Sequence, residues 1–358
     1  MSHNIDMHIA ILIPTLGQGG AEKQATLLAT MLDKHHKVDV YLLYGDRDIA
    51  PQNRELLDRS NVTLHPLHGG MLAKLRQLKH YFKEHNTEIL FNYLTSCNVI
   101  GGIAARRAGV GRIYSGIRNA QLEWSKMVAD RFIHNNIATG TIYNCYSGAE
   151  HFTSKGFKAS KKIVIPNGFQ HIAEGIVREE RDIKHIVTAG RFVPQKDYKT
   201  MIRTIARLKE LRHDFVLDII GYGNEEHNIR GWIDEYGIHD YVNIFIKPNN
   251  VQEILCNGDI YLSTSLFEGT SNSIMEALNW SLPVVATDVG DNSRLVIDGT
   301  NGTLHAIGDV DGMALSLDRL LASHTLRNDY GNKGHRRLEE HYSMAAFEAH
   351  YMELIDGL

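Results

Sequence analysis

A chain of 358 residues suits two domains at roughly 150 residues each, and its 43% hydrophobic and 22% charged residues, with only seven prolines, exclude a disordered, collagen-like or linker-dominated protein. Cys97, Cys145 and Cys256 lie far apart, which excludes a disulfide framework or a zinc ribbon and favours a reducing, cytoplasmic setting. The net charge of −4 hides an asymmetry. Up to Gln170 there are twenty Lys and Arg against thirteen Asp and Glu, and beyond it eighteen against twenty-nine. The basic half suits an anionic partner, a membrane surface or a phosphate-bearing acceptor, while the absence of a Cys/His finger or an aromatic RNP-like signature disfavours nucleic acid.

In chain order, residues 1–14 carry Asp6 and an apolar run of only 9–13, too short and wrongly charged for a secretory signal. Short apolar runs then predict strands at 8–13, 38–43, 62–65, 89–92, 112–115, 141–145 and 162–165, with helical patterns such as 21–32 and 71–85 between them. The uncharged stretch 89–105 contains Asn92, Thr95, Ser96 and Asn98, whose polar groups are costly in lipid, so no membrane span is expected. After the turn Ile165-Pro166-Asn167-Gly168 the alternation resumes with strands at 184–189, 215–221, 241–245, 259–263, 283–286 and 302–305. Strand–helix alternation means a parallel sheet covered on both faces. The expectation is an α/β protein of two doubly wound, Rossmann-like domains, 1–168 and 169–342, with a helix at 343–358 packing back on the first. Residues 168–182, containing Arg178, Glu179, Glu180, Arg181 and Asp182, read as an exposed hinge.

Three segments carry chemistry. Thr15-Leu16-Gly17-Gln18-Gly19-Gly20-Ala21-Glu22 lets helix N-terminal amides approach a phosphate, or is a mere tight turn. Glu22 stands where GxGxxG needs its third glycine, so no nicotinamide or flavin cofactor is expected. Gly190-Arg191-Phe192-Val193-Pro194-Gln195-Lys196-Asp197 opens a helix running to about Arg212. Cations in a first turn oppose the helix dipole unless an anion sits among them, which points to a diphosphate; solvated side chains with Asp197 as cap are the plainer reading. Most specific is the segment from Ser265 to Leu278, with Glu268 in a loop and Glu276 in the helix that begins near Ser271. Eight helical rises span roughly 12 Å, comparable with the separation of sugar and ribose in a nucleotide sugar. Carboxylates accept from vicinal hydroxyls, and the amides of Thr270, Ser271 and Asn272 face the phosphates between.

Taken together, these residues resemble retaining glycosyltransferases of the GT-B fold, family 4. The matching elements are Gly19 to Glu22, Ile165 to Gly168, Gly190-Arg191 with Lys196-Asp197, Gly221-Tyr222-Gly223, Glu268 with Glu276 (E-x7-E), Pro283 to Gly290, and Asp298-Gly299 with Asn301-Gly302. The resemblance implies two domains facing across a cleft, a donor, usually a UDP-sugar, on the second and an acceptor mainly on the first. It also implies retention of anomeric configuration without a metal or other cofactor. Carried over residue by residue, it gives Arg191 and Lys196 the diphosphate, Glu268 the transferred sugar with Gly269 beside it, and Glu276 the ribose. Gly221 and Tyr222 border the nucleoside, backbone near Ile246 and Val251 seats the base, and Gly19 and Gly20 close on the phosphates. One departure is Ser115-Gly116-Ile117-Arg118-Asn119, where many members place a His in a Thr-x-His context. Arg118 there contacts a charged donor or acceptor, or pairs with an acid such as Glu123; Asn119 and Asn167 join the substrate-binding set. The other is Lys247, where a Gly is common.

Asp46-x-Asp48 and Asp309-x-Asp311 fit the DxD metal pattern but read as loop or cap acids, so no metal site is expected. The twenty histidines show no HExxH-type pair and read as surface residues. The stripe Met71, Leu75, Leu78 and Phe82 faces a core and leaves a basic outer face, for solvent or for anionic lipid. The expected function is transfer of a hexose or N-acetylhexosamine in the cytoplasm, to a lipid-diphosphate-linked glycan at the inner face of the cell membrane or to a small soluble acceptor. A UDP-sugar epimerase of the same fold and a non-catalytic nucleotide-sugar-binding scaffold are the alternatives; E-x7-E and the Lys196 context weigh against the epimerase.

Overall fold

The computed structural model describes residues 7–46, 48–118 and 122–357. They form two compact units, one running up to Asn167 and including the chain again from Glu348, the other Gly168–Phe347.

The first unit is a seven-stranded parallel sheet of β1 (His8–Ile13), β2 (Lys37–Leu42), β3 (Thr63–Pro66), β4 (Ile89–Asn92), β5 (Arg112–Ile117), β6 (Gly140–Tyr143) and β7 (Lys162–Val164), in the order β3-β2-β1-β4-β5-β6-β7. Strands covered on both faces read as continuous apolar runs, and Ile9 through Ile13 are all buried. The covering helices are α1 (Gly20–Leu32), α2 (Pro51–Asp58), α3 (Met71–Glu84), α4 (Leu94–Ala108), α5 (Trp124–Asn136) and α6 (Tyr146–Ser154). In α3 only Leu78 and Phe82 of the expected stripe are fully buried; Met71, at the first helical position, stays 53% exposed.

The second unit is a six-stranded parallel sheet of β8 (Lys184–Arg191), β9 (Phe215–Tyr222), β10 (Val242–Ile246), β11 (Ile260–Ser263), β12 (Val284–Thr287) and β13 (Gly302–His305), in the order β10-β9-β8-β11-β12-β13. Its helices are α7 (Tyr198–Lys209), α8 (Glu226–Tyr236), α9 (Val251–Cys256), α10 (Asn272–Asn279), α11 (Asn292–Leu295), α12 (Val310–Leu321) and α13 (His324–Tyr342). The last helix, α14 (Met344–Asp356), carries Tyr351, whose ring meets Phe91 edge-on at 5.5 Å within the first unit. Both sheets are doubly wound: the chain winds outward from β1 or β8, then returns to place β4 or β11 on the other side. Ligands of open α/β sheets bind beyond the strand C-termini at such a reversal.

Residues 168–182 are exposed at Glu179, Glu180 and Asp182, as expected, but the segment is tied to the second unit rather than free. Arg178 is buried and donates to the carbonyls of Trp280 (2.6 Å) and Ser281 (2.8 Å) past the end of α10, and to those of Cys256, the last residue of α9, and Gly258 just beyond it. Helix C-termini leave carbonyls without partners, and one guanidinium satisfies several of them. Burial pulls the Arg178 pKa down to about 10. Ala173 and Ile176 amides add bonds to Asn279 and Ser281, which lays the segment along the second unit. No helix among the described residues is long and apolar enough to cross a membrane.

Candidate functional site

In the second unit, the loops after β8, β9 and β11 line a pocket of about 620 Å³. It gathers Arg191, Lys196, Gly221, Tyr222, Val251, Glu268, Thr270, Ser271, Asn272 and Glu276, all singled out in the sequence, with Gln195, Pro248 and Ser273 in addition. Of the other expected residues on this unit, Ile246 ends β10 41% exposed and does not line the pocket, because Lys247, Pro248 and Val251 form that wall. Gly269 supports the loop from behind, its carbonyl accepting from the Asp291 amide at 3.2 Å.

Arg191 ends β8 in register with Tyr222 of β9, so both project at the strand C-termini. Gly221 is required there, since a Cβ would stand 1.9 Å from the Gly190 carbonyl oxygen. Lys196 does not lie in the helix's first turn. Pro194–Lys196 form a 3-10 turn, Asp197 sits at φ 45°, and α7 begins at Tyr198. The anion beside Lys196 is a protein carboxylate: Nζ donates to Glu268 Oε1 at 2.6 Å, and Ser265 Oγ donates to the same oxygen at 2.8 Å. The two loops are stapled further, Gln195 donating to the Phe267 carbonyl (2.7 Å), Leu266 N to the Gln195 carbonyl (2.8 Å) and Thr264 Oγ1 to the carbonyls of Lys196 and Asp197 (3.0 Å each). Lys196 and Glu268 are thus held in place before any ligand arrives. Asp197 accepts from the Thr200 amide at 3.3 Å as N-cap. Asp197→Ala is therefore expected to cost about 1 kcal/mol in urea unfolding, and Asp197→Gly only a few tenths, because glycine tolerates the left-handed backbone.

Ser271 caps α10 through Oγ, accepting from the Ile274 amide at 3.5 Å, and Ile274, Met275, Ala277 and Leu278 anchor the helix in the core. Glu276 is left on the pocket side, half-buried. Beneath, the Tyr261 hydroxyl donates to the Ala189 carbonyl at 3.1 Å; burial pushes its pKa up to about 12, so it stays protonated. Lys247 occupies φ 45°, a conformation glycine adopts more easily, and its Nζ lies 4.7 Å over the Tyr222 ring.

The first unit has its own pocket, about 580 Å³, after the C-termini of β1, β4 and β5. Arg118 lines it, donating to Asn167 Oδ1 (3.3 Å) and the Tyr351 hydroxyl (3.2 Å) and lying 4.7 Å over the Tyr93 ring. The pairing with Glu123 does not occur: Glu123 pairs with Lys126 at 3.1 Å. Among the described residues Arg118 forms no ion pair with a carboxylate, although Glu123 and Asp130 line the same pocket, and its Nε is buried without a hydrogen-bond partner. Asp130, missed in the sequence, is buried in the same pocket, accepting from Thr95 Oγ1 (2.6 Å) and Asn98 Nδ2 (2.8 Å); burial raises its pKa. No local pattern marks it, because Thr95 and Asn98 come from α4. Gly19 is the N-cap of α1, where the Glu22 carboxylate folds back to 1.9 Å from the place of a Cβ, a contact that a turn of the Glu22 side chain would relieve. Gly20, the next residue, has open space around it. Asn119 lies outside the described residues.

Of the DxD acids, Asp309 caps α12, accepting from the Gly312 amide at 3.0 Å, and Asp311 pairs with Arg207 at 2.9 Å. The histidines are not all on the surface. His36 is buried, and His8, His65 and His85 surround the Asp39 carboxylate. Four residues from different elements leave no spacing to read in the sequence.

Two parallel doubly wound units define the GT-B class of fold. Residues 173–337 match the family described as Glycosyl transferases group 1. The lipopolysaccharide core biosynthesis glycosyltransferase LpsE of Rhizobium meliloti is 28% identical over 174 residues, 49% of this chain and 50% of that one. The N-acetylgalactosamine-N,N'-diacetylbacillosaminyl-diphospho-undecaprenol 4-alpha-N-acetylgalactosaminyltransferase of Campylobacter jejuni is 31% identical over 155 residues, 43% and 42% of the two chains. The chain thus spans about half or less of the length of these curated relatives. The crystal structure of Anabaena Alr3699/HepE in complex with UDP superposes with a TM-score of 0.78 at 16% identity, covering 99% of this chain and 100% of that one. Residues 173–337 thus resemble group 1 glycosyltransferases, and the chain has the GT-B fold of the solved structure on which it superposes.

Proposed function

We propose that the protein is a retaining, metal-independent hexosyl- or N-acetylhexosaminyltransferase, using a UDP-sugar and a lipid-diphosphate-linked glycan acceptor in surface polysaccharide synthesis at the inner face of the cell membrane. The observation that carries this is one pocket lined by Arg191, Lys196, Glu268, Glu276 and the N-terminal residues of α10. Glu276 accepts from the ribose hydroxyls and Glu268 from those of the sugar. Arg191, Lys196 and the amides of Thr270, Ser271 and Asn272 hold the diphosphate between them. The bond from the anomeric carbon to the β-phosphate oxygen breaks with its electron pair going to that oxygen, where preorganised cations stabilise the charge. The acceptor hydroxyl bonds to the anomeric carbon on the face being vacated, and its proton passes to the departing phosphate oxygen.

On the acceptor side, Arg118 without a carboxylate partner is suited to the acceptor's phosphate. Two similar proteins support the reading: HepE was also crystallised with UDP-glucose, and the Campylobacter enzyme acts on a diphospho-undecaprenol-linked sugar. Radiolabelled UDP-hexoses, without and then with lipid-linked acceptors, test it. The expected result is label in the lipid fraction, at an initial rate unchanged by excess chelator. Epimerised nucleotide, or binding without turnover, refutes transfer, and activity lost to chelator and restored by magnesium or manganese refutes metal independence.

A further inference from the structure

The sheet order β3-β2-β1-β4 brings His8, Asp39, His65 and His85 onto one side of the first unit. His8 opens β1, Asp39 lies in β2, His65 lies in β3 and His85 follows α3. In the strand register His8 stands beside Lys37, and Tyr41 beside His65. Residues two apart in a strand share a face, so His8, Asp39 and His65 project together. The Asp39 carboxylate is only 9% exposed, whereas His8 and His65 are each 17% and His85 26% exposed. These four residues line a cavity of about 730 Å³ that gives solvent access to the group. The cluster lies toward the N-terminal ends of β1 and β2, while the Arg118 pocket follows the C-terminal ends of the strands.

The proton count is the physical argument. His8 Nδ1 hydrogen-bonds the His85 backbone carbonyl, and His8 Nε2 lies 2.7 Å from Asp39 Oδ2. Both partners are acceptors, and a neutral imidazole has one N–H to offer. A second positive centre, proton or metal ion, is therefore needed between His8 Nε2 and the carboxylate. Asp39 Oδ2 is approached by a second ring nitrogen as well, His85 Nδ1 at 2.7 Å. The potential ligand atoms of His8, Asp39 and His85 all lie within 4.8 Å of one another. His65 Nε2 lies 3.0 Å from the other oxygen, Oδ1, and orients the carboxylate. An imidazole whose far nitrogen donates to a backbone carbonyl is the arrangement in which metal-bound histidine is usually held.

We propose that His8 Nε2, His85 Nδ1 and Asp39 form a binding site for one divalent transition-metal ion of the zinc type, with a solvent molecule from the cavity as fourth ligand. Two imidazoles and a carboxylate match zinc in ligand chemistry. The ion ties β1, β2 and the turn after α3 together, and is structural, apart from sugar transfer. The untagged full-length chain, made metal-free, is titrated with Zn²⁺ against a chromophoric chelator, and its melting temperature is read with and without Zn²⁺. One equivalent bound and a rise in melting temperature are expected. His8→Gln and His85→Gln each weaken the site at least about a hundredfold, and Co²⁺ gives the visible bands of a four-coordinate site in the wild type alone. Failure of the wild type to take up Zn²⁺ stoichiometrically, or wild-type affinity in a folded His8→Gln chain, overturns the proposal. Should a variant not fold, the wild-type stoichiometry and Co²⁺ spectrum decide. Zn²⁺ uptake is read without any sugar donor, so its failure and that of the transferase reading are separable.

Discussion

Lys196→Ala is expected to lower kcat for sugar transfer by about 10²- to 10³-fold, the usual consequence of removing one preorganised group that stabilises a departing anion. Lys196 is 20% exposed and its bond to Glu268 joins two surface loops that Gln195 and Thr264 also staple. The variant should therefore melt within a few degrees of the wild type. Glu268→Gln is expected to lose activity too, but the two losses should not add. Lys196 positions the same carboxylate that is proposed to take the sugar's hydroxyls, and residues in direct contact couple. Steady-state transfer from a UDP-sugar measures this; near wild-type kcat in Lys196→Ala would remove that residue from the mechanism.

Gly290→Ala is expected to reach the site without touching a ligand. Gly290 has φ 58°, and a Cβ there would stand 2.1 Å from the Glu268 carbonyl oxygen. The left-handed backbone costs a side chain about 1–2 kcal/mol, and overpacking adds about 1–3 kcal/mol. The softest response is for the loop carrying Glu268 to lift, since β12 and its neighbours are core. Activity should fall at least about tenfold together with a stability loss of about 2–5 kcal/mol in urea unfolding. An unchanged kcat in a destabilised chain would show that the loop does not need this support.

The two-sheet architecture was legible because parallel strands buried on both faces are unbroken apolar runs, and runs such as Ile9 to Ile13 need no partner to be recognised. The residues of the second unit's pocket were legible for a related reason. Arg191 and Tyr222 end β8 and β9, Glu268 follows β11 by five residues, and the doubly wound order brings those ends together. What the sequence hid is pairing across long separations. Lys196 meets its anion in Glu268, 72 residues on. Arg178 sits among charged neighbours and looks solvated, yet its burial is decided by carbonyls at the ends of α9 and α10, about 80 to 100 residues away. The histidines around Asp39 come together only through strand order, so no short motif announces them. Lys247 was legible only as a departure, and its positive φ shows why glycine suits that position.

The central claim is that Arg191, Lys196, Glu268 and Glu276 grip one nucleotide sugar. A crystal structure of the full chain with a UDP-sugar tests it most directly. The account predicts ribose hydroxyls on Glu276, the diphosphate at Arg191, Lys196 and the N-terminus of α10, and the sugar against Glu268. A nucleotide bound elsewhere, or one in this pocket with its phosphates remote from Lys196, would contradict it.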